Sequence, residues 1–102
     1  MGNRVSISFK KGDRESIALF DHWGGMARVK HAESYVATLR AEAAGQSEWP
    51  LYRLEPETVM VDYIRAITRG WERVISCLSV GHMDNPMRGD NSDNGHHVIS
   101  LD

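Results

Sequence analysis

Only one cysteine, Cys77, occurs in the 102 residues, so no internal disulfide can form. The compartment expected from that usage is a reducing one, the cytoplasm. No apolar run approaches the roughly 20 residues of a membrane span, and no secretory leader opens the chain, so no membrane partner is expected. Neither sign of charge dominates: 12 Lys and Arg face 14 Asp and Glu, for a formal net charge of −2. A balance of that kind excludes the broad basic field on which bulk nucleic-acid binding depends. Recognisable reaction motifs are missing as well. There is no nucleophile-elbow serine, no phosphate-binding Gly-Lys loop and no cysteine pair. What is present is ordinary for a globular chain, 41% hydrophobic and 25% charged, which suits one core in a single domain spanning 1–102.

Alternation in Val5-Ser6-Ile7-Ser8-Phe9-Lys10 predicts a strand with Val5, Ile7 and Phe9 on its buried face. Lys11-Gly12-Asp13-Arg14 supplies turn chemistry, and the run Ser16 to Trp23 completes a β-hairpin. Gly24-Gly25 breaks the strand. From Met26 to Ala44 the apolar residues Val29, Ala32, Val36, Leu39 and Ala43 recur at three and four, which predicts a helix closed by Gly45. Gln46 to Leu54 has no period, holds Trp49-Pro50, and is the expected place for a binding loop. Pro56, with Glu55 and Glu57 beside it, opens a second helix whose buried face is Val59, Tyr63, Ile67 and Trp71. A third strand is expected over Val74–Val80, with Cys77 as an inert core thiol. A loop follows over Gly81–Gly95, and a short last strand holds His97, Ile99 and Leu101. The order ββααββ predicts an α+β fold: an antiparallel sheet of about four strands with two helices packed on one face.

Four constellations could carry chemistry. In Asp21-His22-Trp23-Gly24-Gly25, glycines before a helix offer backbone N–H groups to an anion. Any strand-to-helix reversal can also use them structurally. Arg65, Arg69 and Arg73 are spaced by four, so a helix continuing through Gly70 would align three guanidiniums for phosphate or carboxylate; the plain alternative is a solvated face. Gly89-Asp90-Asn91-Ser92-Asp93-Asn94-Gly95 opens like a calcium loop, but Leu101 stands where a bidentate Glu belongs. The favoured reading is a hairpin loop whose Asp and Asn side chains bond their own backbone, with Asn94-Gly95 in a tight turn. Finally, Asp84, Asp90, Asp93 and His96, with His82 nearby, suit a divalent metal by residue type, although their spacing repeats no known ligand pattern.

Three segments carry a likeness when taken together: Gly2-Asn3-Arg4 running into a strand, His22-Trp23-Gly24-Gly25 before a helix, and Gly89–Gly95. The set resembles a family of small uncharacterised proteins of bacteriophages, prophages and some archaea. The resemblance covers both ends of the chain, and between Ala27 and Val74 it extends only to length and helical character. It implies a viral accessory setting, and no catalysis.

The function expected from these features is that of a non-enzymatic, homo-oligomeric binding protein, a dimer or higher, with no cofactor. Its expected ligand is an anionic, nucleotide-like molecule held by His22, Trp23, Gly24, Gly25, Arg65, Arg69 and Arg73. As an anti-defence factor it would sequester such a molecule or block a host defence protein. The alternative is a metal-dependent phosphodiesterase or nuclease built on Asp84, Asp90, Asp93 and His96.

Overall fold

The structure, a computed structural model, describes residues 2–45, 53–74, 77–82 and 91–102. Among the described residues, five strands and two helices follow one another as β1 (Val5–Lys11), β2 (Arg14–Glu15), β3 (Ala18–Asp21), α1 (Gly25–Ala44), α2 (Pro56–Ile67), β4 (Leu78–Gly81) and β5 (His96–Ser100). The class is α+β. β2 and β3 are successive halves of the leg that returns along β1, pairing Lys10 with Glu15 and then Ile7 with Leu19. Ser16 interrupts that leg. Its hydroxyl accepts the Phe9 N–H at 3.0 Å and donates to the Ile17 carbonyl at 2.9 Å, so a side chain stands in for part of the ladder.

β4 pairs antiparallel with β3, whereas β5 lies on the other side of β1 and runs parallel to it. The last two strands therefore sit on opposite edges, and the expected hairpin between them does not form. Element order alone is compatible with either arrangement. The expected third strand also shortens: Val74 lies outside it, residues 75–76 lie outside the described residues, and Cys77 is a half-buried turn residue just before β4.

Alternation does what the sequence predicts on β1. Val5, Ile7 and Phe9 enter the core with Leu19, and there they meet Val29, Ala32, Val36 and Leu39 of α1 and Val59, Met60 and Tyr63 of α2. Both helices thus cover one face of the sheet. α2 starts at Pro56, with Glu57 in its first turn. It stops at Ile67, because Thr68 closes the last turn onto the Ile64 carbonyl with both its N–H, at 3.0 Å, and its hydroxyl, at 2.6 Å. Trp71, expected on the buried face of α2, lies beyond the helix and is exposed.

Candidate functional site

β1 and the β3–α1 junction bring Gly2-Asn3-Arg4, His22-Trp23-Gly24-Gly25 and residues 91–95, distant in sequence, to one end of the sheet. Asn3 donates its N–H to the His22 carbonyl and accepts the Gly25 N–H, each at 2.8 Å. The Asn94 amide donates to Asn3 Oδ1 at 2.7 Å and to the Arg4 carbonyl at 2.9 Å. Asp93 accepts the Arg4 N–H at 2.9 Å, and Ser92 accepts from the Arg4 guanidinium at 3.3 Å. Among the described residues, the Asp and Asn side chains at 93 and 94 thus hold the N-terminal segment instead of bonding their own backbone. The parallel entry of β5 beside β1 makes this possible, because Gly95 follows the Arg4–Ser6 stretch directly, with the Ser6 N–H donating to the Gly95 carbonyl at 3.0 Å.

At the junction itself, Asp21 is buried and its Oδ1 accepts the N–H groups of Trp23 and Gly24 at 3.1 and 3.0 Å. Arg28 closes the turn from α1, donating from Nε to Asp21 Oδ2 at 2.8 Å. The N–H groups at 23, 24 and 25 are therefore all engaged within the chain, by Asp21 and by Asn3. A carboxylate already occupies the position where an anion would approach them. Trp23 itself stays 60% exposed, edge-on to His22 with ring centroids 4.8 Å apart.

A second polar group forms where α1 crosses α2. The buried Tyr63 hydroxyl accepts from Arg28 Nη1 at 3.2 Å and lies 2.8 Å from His31 Nδ1. Burial pulls the Arg28 guanidinium down, but its bonds to Asp21 and Tyr63 outweigh that and leave it raised. Tyr63 is raised by burial against the opposing influence of Arg28. Tyr35 donates to Asp62 and is raised, first by burial and then by that carboxylate. Apolar periodicity assigned Val29, Ala32, Val36 and Leu39 of α1 and Val59 and Tyr63 of α2 to the core, missed Met60, and was silent on these contacts, which depend on how the helices pack.

Asp62 borders an open cleft of about 360 Å³ lined also by Arg65, Ala66, Thr68 and Arg69. Among the described residues neither Arg65 nor Arg69 has an ion-pair partner, whereas Arg4, Arg14, Arg28 and Arg53 each reach a carboxylate within 4.0 Å. Arg73 does not join them. The alignment of three arginines required helix through Gly70, and α2 ends at Ile67.

Of the metal alternative, Asp84 and Asp90 lie outside the described residues, as does the Trp49 loop. Asp93 is turned to Arg4, and both ring nitrogens of His96 meet serine hydroxyls on β1. Among the described residues no three His, Cys, Asp or Glu side chains gather to hold a metal ion, and no helix is long and apolar enough to cross a membrane. Comparison with protein-family models, with curated proteins and with solved structures finds no match to this chain.

Proposed function

We propose that the chain is a non-enzymatic binding protein that takes an anionic, nucleotide-like ligand on Arg65 and Arg69 and works as a homo-oligomer. The observation that carries this reading is the cleft. Two guanidiniums line one open depression of about 360 Å³ without a carboxylate partner among the described residues. Guanidinium forks placed this way match phosphate oxygens bidentately. All five lining residues come from α2 and the turn after it, so one subunit supplies one wall. A second copy supplies another. Val61, one turn before Arg65 and 68% exposed, provides apolar surface for that contact. Trp23 provides an exposed aromatic plane for a base, in keeping with the Trp and Arg content of ligand-stacking surfaces. In the viral setting that the resemblance implies, such a protein would sequester a host signalling molecule.

Native mass spectrometry of protein freshly purified from cells tests the subunit count and any co-purified phosphate-bearing molecule together. Calorimetry with adenine mono-, di- and cyclic dinucleotides then tests the cleft. Arg65→Ala and Arg69→Ala should each weaken binding by roughly tenfold to a hundredfold, the worth of one charge-assisted contact. Unchanged affinity in both variants would place the ligand elsewhere, and a monomer with no affinity for any of these probes would overturn the proposal.

A further inference from the structure

The face of the sheet turned away from the helices carries a buried polar chain that takes no part in the arginine cleft. Ser6 and Ser8 of β1 are fully buried there, and the parallel register sets His96 beside Ser6. Asn91, itself buried, donates from Nδ2 to Ser6 Oγ at 3.0 Å. Ser6 Oγ lies 2.7 Å from His96 Nδ1, and Ser8 Oγ lies 3.1 Å from His96 Nε2. Ser8 donates to Glu15 Oε2 at 2.6 Å.

Counting hydrogens assigns a direction to every link. The Glu15 carboxylate can only accept, so the one hydroxyl hydrogen of Ser8 goes to it, and His96 Nε2 must donate to Ser8. The Asn91 amide nitrogen can only donate, so the Ser6 hydrogen goes on to His96 Nδ1, which must accept. The chain thus holds His96 neutral, with its proton on Nε2. A second proton on Nδ1 would point at Ser6 Oγ, which would then accept from both His96 and Asn91, and the serine's own hydrogen would lose its acceptor. Turning the Asn91 amide so that Oδ1 meets that hydrogen restores a partner to it, at the loss of the present Nδ2 contact.

Asn91 anchors the turn that closes on the N-terminal segment. Its carbonyl accepts the Gly95 N–H at 2.7 Å, and between the two, Asn94 grips Asn3, which in turn holds Gly25. From this connectivity we propose that His96 is a pH sensor: its protonation reverses the Ser6 hydrogen bond, displaces Asn91 and loosens the Asn91–Gly95 turn from the Asn3–Gly25 corner that carries Trp23. Among the described residues, the titratable group facing the ring is Glu15 of β2, with Oε2 at 3.7 Å from Nε2; His97, next on the same strand and bonded to the Asn94 carbonyl, acts on it only as a neighbouring charge. Lys10 of β1 pairs with Glu15 in register, and Asp93 of the turn is occupied by Arg4. Burial lowers the His96 value, against Glu15, which favours the charged ring.

A two-dimensional NMR titration of the full chain tests the proposal. The imidazole nitrogen shifts of His96 should report the Nε2–H tautomer at neutral pH and a midpoint below the usual value of about 6.5. The backbone amides of Asn91, Asn94, Asn3 and Gly25 should move with that same midpoint. In Ser6→Ala the Asn3 and Gly25 amides should cease to follow His96, while His22→Gln should leave their response intact. The Nδ1–H tautomer at neutral pH, a midpoint at or above about 6.5, or corner amides that track His22 instead would each overturn it. The tautomer and midpoint are read on the unsubstituted chain, so they stand even if Ser6→Ala does not fold.

Discussion

Asn3 and Gly25, twenty-two positions apart, fit together as backbone and socket: the Gly25 N–H donates to the Asn3 carbonyl, and the Asn3 amide fills the space where a side chain at 25 would begin. Gly25 also has φ +56, in the left-handed region. Gly25→Ala should therefore cost about 2 kcal/mol or more in denaturant unfolding, combining backbone strain with a clash. Gly12 has nearly the same φ, +62, but open space around it, so Gly12→Ala should cost only the strain, about 1 kcal/mol. In the double variant Asn3→Ala/Gly25→Ala the clash vanishes, so the combined loss should fall short of the sum of the two single losses.

Removing Arg28 leaves the Asp21 carboxylate, 4% exposed, without its cation. Arg28→Ala should cost about 3 kcal/mol, the scale for stranding one partner of a buried pair. Tyr63→Phe removes only a hydroxyl shared by Arg28 and His31 and should cost about 1–2 kcal/mol. Equal losses in the two variants would mean that the Asp21–Arg28 pair contributes no more than the Tyr63 hydroxyl.

Stability should decline as pH falls through the histidine range, and the sign follows from His96. Burial lowers its folded value below the unfolded one, so the unfolded chain takes up the proton first. The contribution is complete above the unfolded value of about 6.5 and is lost progressively below it, down to the folded value. Unfolding curves at successive pH values from neutrality downwards should show this slope in the parent chain and a shallower one in His96→Gln.

Asp62 borders the arginine cleft and binds Tyr35. Removing its charge should strengthen binding of a phosphate-bearing probe. Asp62→Asn is expected to raise affinity by roughly twofold to fivefold, as for one exposed charge pair. Calorimetry with the same adenine nucleotides decides it, and weaker binding would show instead that Asp62 contacts the ligand.

Period and punctuation in the sequence determined most of the scaffold. Alternation through Val5–Phe9 specified a strand and its buried face, the three-and-four spacing from Val29 to Leu39 specified α1, and Pro56 marked the start of α2. Such signals are local, since each depends on neighbours within a turn or two. Where the chain ends an element was less legible: Thr68 closes α2 before Gly70, which removes Arg73 from the row of arginines.

Tertiary structure alone decided the sites. Ser6 and Ser8 read as the solvent side of β1, yet they are fully buried, because β5 enters parallel beside them and lays His96 across both hydroxyls. Likewise no spacing rule links Asn3 to Gly25 and Asn94, or Arg28 to Tyr63. These contacts join residues 22 to 91 positions apart, and their geometry is set by strand order, strand direction and helix crossing. Periodicity carries no record of those three quantities, because it reports which face of an element is buried and not what lies against it.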